Sequence, residues 1–508
     1  MSTYSLVCLL VLPWLNPYTF GPTHSVVPWV VSAVCASLIP SVLLSSSADP
    51  MRKPWPRALA WAWIIAAIVS ALIALIQYFG WSSLLSPWVN STGAGEAYGN
   101  LRQRNQFASL MNIGVAALLW GARGPWPPQW AKLSQWPWER IGIVLLVSAN
   151  AASASRTGMV QLGLVLLLYV AWHRQDSAVW SDSCIRAAVI GYVASALFFV
   201  ALANFQDAGG GVLGRVQNPG AHCSSRLVLW SNVLQLIAQR PWAGWGWDEL
   251  DFAHFTTLYP GERFCEILDN AHNFPLHLAV ELGIPVALAL CLLIGFWVQK
   301  RAPWAETNPS RQLAWTVLTV IGLHSLLEYP LWYGPFQMTV ALCALLLWRI
   351  PGEMERSGSA RMPLTANLGK TRSAILYSVT VLSIFVCSAI AWDYWRVSQL
   401  YLATASRAPA YRDDTFEKVK GSWLFQNQVQ FAELTTTTLD RTNATAINAQ
   451  AKKLLHFSPE PRVIEAVIES ATLLGKDQEA IYYLQRYKAA FPDAHALWVA
   501  TSLGYKAP

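Results

Sequence analysis

Charge is what this 508-residue chain has least of. Only 13% of its residues are Asp, Glu, Lys or Arg, against 54% hydrophobic residues and a mean hydropathy of +0.32. A water-soluble domain carries about a quarter charged residues, so the composition excludes a chain folded mainly in water. Cysteine is scarce as well. The eight present show no zinc-binding spacing, and no glycine-rich phosphate loop follows a strand-like run. Zinc modules and P-loop nucleotide enzymes are thereby set aside. The net charge of +7 comes from basic residues spread through the connections between apolar runs, which is the pattern of membrane topology and not a nucleic-acid footprint.

What the chain has in abundance is tryptophan, 27 residues, and long apolar runs. A helix that crosses a bilayer needs roughly 20 mainly apolar residues. Eleven runs qualify, at about 4–20, 26–46, 58–79, 105–121, 140–154, 157–173, 186–204, 273–298, 312–326, 335–349 and 374–395. The near-continuous stretch from 140 to 173 leaves room for a count of eleven or twelve. The first run contains Pro13, Asn16 and Pro17 and lacks a basic start and a small-residue cleavage site, so it is expected to be retained as a helix. The expected fold class is all-α, a polytopic helical membrane protein with a long external loop and a C-terminal soluble helical region.

Orientation follows from the basic residues. With the N-terminus inside, the inner connections hold Arg52, Lys53 and Arg57; Arg123, Lys132 and Arg140; Arg174 and Arg186; Lys300, Arg301 and Arg311; and Arg349, Arg356, Arg361, Lys370 and Arg372. Every one holds at least two basic residues, the count that sets orientation. The outer segments are then a loop near 80–104, the Ser153–Thr157 turn, a long loop at 205–272, Leu327–Gly334 and the tail. Gly209-Gly210-Gly211 reads as a flexible bend in the long loop, on the wrong side of the membrane for ATP. Two domains are expected: a transmembrane core over 1–395 that includes the loop 205–272, and a soluble helical tail over 396–508. The tail carries Ala480, Tyr483, Tyr487, Ala490 and Phe491-Pro492, small and aromatic residues spaced as in a tetratricopeptide-type helical repeat. Its expected work is docking or stability.

Only Cys223 and Cys265 fall in the external segments. Two thiols in one external loop are a disulfide candidate in an oxidising compartment. The other six lie in apolar runs or at an inner edge, where a thiol serves as a small hydrophobe.

Polar motifs collect on the outer face. They are Gly99-Asn100-Leu101-Arg102-Gln103-Arg104-Asn105; Ser155-Arg156-Thr157; Arg226 with Trp230; Pro241-Trp242-Ala243-Gly244-Trp245-Gly246; Asn270-Ala271-His272-Asn273 leading to Glu281 and Gly283; and Glu328-Tyr329-Pro330-Leu331-Trp332. An imidazole accepts a proton near neutrality, so His272 at the water edge of an apolar helix is placed to act as a general base. It could equally cap that helix. Arginines at span ends can clamp phosphate oxygens bidentately, or snorkel to the headgroups. Glu281 could orient His272 or pair with a neighbouring polar group.

In order and in shared face, these motifs, together with Leu12-Pro13-Trp14-Leu15-Asn16-Pro17-Tyr18, resemble the O-antigen ligase and O-oligosaccharyltransferase superfamily of bacterial inner membranes. The likeness is closest to its protein-glycosylating, pilin-type branch and covers about residues 5 to 340, and the soluble tail also resembles that branch. The resemblance implies a multi-pass enzyme of the inner membrane with its active site facing the periplasm. It implies a donor glycan carried on polyprenyl diphosphate, a Ser or Thr acceptor on a protein such as a pilin, and neither metal nor cofactor. Carried over by motif, His272 is the essential histidine and Arg156 and Arg226 hold the diphosphate. Gln103, Asn273 and Tyr329 are further substrate-binding candidates. The Gly99 motif is more basic here, at Arg102 and Arg104, than the family pattern, which puts the role of Gln103 in question. Direct attack of the acceptor hydroxyl would invert the anomeric centre, since no carboxylate pair for a covalent intermediate is evident. Three other readings stay open: a ligase acting on lipid A core, a glycan polymerase, or a lipid or anion transporter. The last lacks the paired, interrupted halves typical of transporters.

Overall fold

The computed structural model describes residues 3–44, 55–121, 137–176, 179, 182–205, 222–350 and 370–502. The Gly209–Gly211 bend, Arg52, Lys53, Arg123, Lys132, Arg356 and Arg361 lie outside the described residues. Among the described residues every regular element is a helix and there is no strand, and the chain is an all-α, polytopic membrane protein. Each of the eleven apolar runs carries a helix. Four helical stretches are long and apolar enough to cross a bilayer on their own: Trp55–Tyr78, Ser183–Ala203, Ile284–Ala305 and Ala374–Tyr401.

The chain divides into two compact units. One comprises Met1–Thr19, His24–Asn218 and Trp297–Ala389; the other comprises Phe20–Thr23, Pro219–Phe296 and Ile390–Pro508.

In the first unit run α1 (Thr3–Leu15), α2 (Val26–Leu44), α3 (Trp55–Tyr78), α4 (Arg104–Gly121), α5 (Trp138–Ala152), α6 (Arg156–Trp172) and α7 (Ser183–Phe205). Helix α4 is its axis: Gln106 to Leu119 are buried without a break, and α3, α5 and α6 pack around it. Small residues permit the close approach. A Cβ added at Gly114 would stand 2.5 Å from that of Ala67 and 2.8 Å from Leu146, the short interhelical spacing that membrane helices reach with glycine and alanine. Several polar side chains inside this bundle pair with one another, which offsets the cost of burying them. Ser109 Oγ lies 2.9 Å from His324 Nδ1, Gln161 donates to Ser109 Oγ at 2.8 Å, and Asn112 donates to the Gly158 carbonyl at 2.9 Å. Arg311 is 1% exposed and bridges Glu306, through Nε to Oε2 at 2.5 Å, to the Leu347 carbonyl at 2.7 Å. Arg311, expected from the sequence at the inner face, is thus a buried staple between its own helix, Pro309–Ser325, and the end of the helix Gly334–Arg349.

In the second unit the long loop contributes α8 (Arg226–Gln239), α9 (Leu250–Thr256) and α10 (Phe274–Leu282), followed by the start of α11 (Ile284–Arg301). Two further helices, α12 (Pro309–Ser325) and α13 (Gly334–Arg349), return to the first unit, and α14 (Lys370–Ser398) leads into the tail. The tail holds α15 (Thr415–Val419), α16 (Gln426–Thr436), α17 (Ala444–Leu454), α18 (Pro461–Leu473), α19 (Asp477–Ala490) and α20 (Pro492–Ser502). Helices α17, α18 and α19 pack in sequence around Leu454, Val463, Ile464, Val467 and Tyr487. Gly475 takes φ +68 at the turn from α18 to α19, the left-handed stop that glycine permits.

The loop and the tail share a core. Phe255 of α9 is 2% exposed within the cluster formed by the tail helices and stacks on Tyr483 at 6.4 Å. Glu249 pairs with His456 at 2.7 Å, His456 stacks on Phe252 at 3.8 Å, and Arg486 donates to the Thr256 carbonyl at 2.7 Å.

Candidate functional site

The run expected to span from 273 to 298 is two helices. Gly283 breaks it, with φ +86 and ψ 160, a conformation open almost only to glycine. A break inside apolar surroundings frees backbone groups that need partners, and the Pro241–Gly246 motif supplies them. Trp245 N–H donates to the Val280 carbonyl at 2.9 Å, Gly246 N–H to the Glu281 carbonyl at 3.0 Å, and Ile284 N–H to the Pro241 carbonyl at 2.8 Å. The backbones approach so closely that a Cβ at Gly244 would collide with the Glu281 carbonyl and one at Gly283 with that of Trp242. Two motifs separated by some forty residues are thereby one interlocked element.

His272 stands immediately before α10 with φ +49, a left-handed conformation uncommon for a residue with a side chain. Three contacts fix it there. His272 N–H donates to Asn270 Oδ1 at 3.0 Å, Trp230 Nε1 donates to the Ala271 carbonyl at 3.1 Å, and Asn273 caps α10 by accepting from Leu276 N–H at 3.1 Å. Asn273 therefore serves the helix start, and the cap falls to it and not to His272. Asn232 of α8 binds the Glu262 carbonyl at 2.9 Å and the Phe264 N–H at 2.8 Å, tying the strap before the seam to the same helix. Cys223 and Cys265 are joined as a disulfide with Cα atoms 5.4 Å apart, closing the base of α8 onto that strap. The six remaining cysteines are free thiols.

Glu281 is buried, and its Oε1 accepts from Asp248 N–H at 3.1 Å while its Oε2 lies 3.5 Å from His277 Nε2. His277 escaped the sequence reading. Its signal was available, since His277 and Glu281 are four residues apart on one helix and so share a face. The ring of Trp247 lies 6.3 Å from that of His277. The surrounding loop is acidic. Burial, reinforced by Asp248, Asp269 and Glu249, pushes the Asp251 carboxyl up to about 7. His254 is buried between Tyr259 Oη at 2.8 Å and the Phe264 carbonyl at 3.1 Å, and loss of hydration lowers its imidazole to about 3.

Arg226 opens α8 at its first helical position, behind Ser225, whose Oγ accepts from Val228 N–H at 3.3 Å. In the first unit Arg156 opens α6 in the same way, behind Ser155, whose Oγ accepts from Gly158 N–H at 2.9 Å. Each guanidinium is thus carried at a capped helix N-terminus, where the helix dipole already favours an anion. Asn105 connects the remaining first-unit motifs: its Oδ1 accepts from Ser155 Oγ at 2.6 Å and its Nδ2 donates to Glu328 Oε1 at 2.9 Å. Tyr329 stacks on Tyr333 at 5.9 Å. Gln103 uses its side-chain oxygen to accept from Gln106 N–H at 2.6 Å, a cap for α4. Arg102 and Arg104 bind Asn90 Oδ1 at 2.8 Å and Glu96 Oε1 at 2.7 Å. By unit, His272, Asn273, Glu281 and Arg226 lie in the second, and Arg156, Gln103 and Tyr329 in the first.

Comparison with known families and proteins agrees with these motifs. A family described as "Protein glycosylation ligase" matches residues 97–120, one described as "O-Antigen ligase" matches 141–291, and one described as "Virulence factor membrane-bound polymerase, C-terminal" matches 312–503. The chain is 27% identical over 355 residues to a general O-oligosaccharyltransferase of Acinetobacter baylyi (strain ATCC 33305 / BD413 / ADP1), covering 67% of this chain and 56% of that protein. It is 24% identical over 299 residues to a ComP-specific O-oligosaccharyltransferase of the same strain, covering 57% of this chain and 51% of that protein. The chain thus spans little more than half the length of either relative. The comparisons bear out the resemblance read from the motifs: this chain is similar to the protein-glycosylating O-oligosaccharyltransferases within the O-antigen ligase and polymerase superfamily.

Proposed function

We propose that this protein is a glycosyltransferase that moves a glycan as one block from a polyprenyl-diphosphate carrier to a Ser or Thr hydroxyl of a protein. Its two relatives are named as O-oligosaccharyltransferases, one general and one specific for ComP. The observation that carries the reading is His272, held by Asn270, Trp230 and Asn273 in a left-handed turn at the mouth of an apolar helix. A side chain on so constrained a backbone is worth its strain where its direction matters.

The chemistry balances around that residue. The acceptor Oγ–H gives its proton to His272 as the Oγ–C1 bond forms and the bond from C1 to the phosphate oxygen breaks, so polyprenyl diphosphate departs with the electron pair. Its growing negative charge is met by Arg156 and Arg226, whose guanidiniums keep their charge and whose positions add the helix dipole. Attack from the face opposite the leaving group inverts the anomeric centre. Glu281 and His277 act as positioning residues. Glu281 binds the Pro241–Asp248 strap through Asp248 N–H and so fixes the C-terminal end of α10, the helix whose start carries the seam.

The acceptor is proposed to be an extracytoplasmic protein of pilin type. The enzyme is placed in the bacterial inner membrane with this face toward the periplasm, as the basic residues of the inner connections support. The transmembrane core and the soluble tail after residue 395 are proposed as its two functional parts. Co-expression with a lipid-linked glycan pathway, a pilin and a lipid A core acceptor tests the reading. Glycosylated pilin is expected; glycan on lipid A core or polymerised glycan alone would refute the protein acceptor.

A further inference from the structure

Helix α8 lies in a loop that the sequence assigns to the water side, yet it has no charged residue between Leu227 and Gln239. One face of α8 packs into the loop core through Leu229, Val233 and Leu236. The opposite face is also apolar and is uncovered. Leu227 is 77% exposed and Leu234 is 54% exposed, with Ser231 and Ala238 completing the line. These positions, spaced four, three and four residues, form a single stripe. A helix apolar on both sides does not rest in water. At 14 residues, about 21 Å at 1.5 Å per residue, it is too short to cross a bilayer.

The far end of α8 shows where it rests. Beyond Arg240, the Pro241 carbonyl accepts from the N–H of Ile284, the first residue of a helix long and apolar enough to span a membrane. The outward residues of that helix, among them Ile284 and Leu288, are exposed. Trp242, next to this junction, is 79% exposed. Tryptophan with its ring open at the head of a span marks the boundary between headgroups and chains. The stripe is therefore continuous with lipid-facing surface at one end and reaches the Ser225-Arg226 helix start at the other.

We infer that α8 is an interfacial helix: one face packs on α10, and the Leu227–Leu234 stripe and Trp242 are seated in the lipid of the membrane–water boundary. Seated in this way, α8 holds Arg226 at the height of lipid phosphates, where the diphosphate of a membrane-anchored donor resides. That last consequence rests on the proposed function; the lipid contact does not.

The test uses the full-length protein in lipid nanodiscs, with Cys8, Cys35, Cys184, Cys291, Cys343 and Cys387 replaced and the disulfide kept. A nitroxide is placed in turn at L227C, L234C, W242C and, as the water control, R441C in the tail, where Arg441 is an exposed charged residue of the turn between α16 and α17. Relaxation by dissolved oxygen and by a water-soluble nickel chelate is then compared. The three loop positions are expected to favour oxygen several-fold over the Arg441 position. Nickel accessibility at Leu227 and Leu234 equal to that at Arg441 would overturn the inference. So would occlusion that appears only with an acceptor protein, which would make the stripe a protein-docking face, or only with a polyprenyl-linked donor, which would make it a carrier site. No turnover enters the measurement, so its failure leaves the transfer reading standing, and failure of transfer leaves the lipid contact standing. Should a label unfold the loop, oxygen-favoured relaxation at S231C, whose native side chain is small and on the same stripe, decides the matter in the same way.

Discussion

His272 and the two helix-opening arginines carry different demands on geometry. In the proposed mechanism the histidine needs one nitrogen aimed at one proton, and the arginines need a planar fork. Lysine keeps the charge of Arg156 or Arg226 but offers a single point donor, so a bidentate hold on a diphosphate is lost. Arg226→Lys and Arg156→Lys are each expected to lower kcat/KM for transfer by at least about tenfold, less than the roughly 100-fold of deleting a transition-state donor outright. Steady-state transfer assays with a lipid-linked donor check this. Wild-type rates in both variants would make these residues headgroup anchors. The sequence disclosed Arg156, Arg226 and the polar seam, because the residue types and their order are local facts. It did not disclose that Gln103 is spent on capping α4, which depends on which side-chain atom meets which neighbour, whereas the pairing of Glu281 with His277 was legible in their four-residue spacing and was missed.

Among the helices, the break at Gly283 organises the second unit. The apolar run 273–298 reads as one span because hydropathy averages across a single glycine. The break becomes legible only once the Pro241–Gly246 carbonyl and N–H groups are seen to take the freed hydrogen bonds. Gly283→Ala is expected to cost about 1–3 kcal/mol from backbone strain alone, and more from collision with the Trp242 carbonyl. A thermal melt of the purified variant should show a lower Tm together with loss of transfer. An unchanged Tm would contradict the interlock.

Helix α9 adds a pH dependence. The Asp251 carboxyl is raised by burial from an ordinary value near 3.8 to about 7. The folded loop therefore binds a proton that the unfolded chain releases, and this contribution to stability falls as pH rises from about 4 to about 7. His254, lowered to about 3, acts in the opposite sense: the unfolded chain binds the extra proton below its ordinary value near 6.5, so this term strengthens as pH rises from about 3 to about 6.5. Asp251→Asn removes only the first. Its stability relative to wild type is expected to improve more at pH 7.5 than at pH 5, as denaturation midpoints at the two values would reveal. An equal shift at both values would remove the carboxyl as the cause.

For the molecule as a whole, the tail and the long loop belong to one compact unit, although residues 273–395 lie between them in sequence. Composition marks the tail as soluble and helical, since its charge rises and its amphipathic spacing is local. Nothing local says that Phe255 completes its core or that His456 meets Glu249. The consequence for acceptor docking is direct. Truncation after residue 400 would strip Phe255 of its surroundings and loosen α9 and the Asp248–Glu281 contact behind it. Such a truncation is expected to lose donor binding and transfer together, measured on the same purified protein. Retained donor binding with lost transfer to protein would instead assign the tail to acceptor docking alone.

His272→Ala, assayed in a single turnover with a polyprenyl-diphosphate-linked glycan and a purified pilin, probes the proposed chemistry most directly. Loss of the base is expected to slow transfer by roughly 10²- to 10⁴-fold, with the donor still bound at wild-type affinity and the inserted, disulfide-bonded fold retained. Transfer at the wild-type rate with alanine at position 272 would contradict the mechanism at its centre.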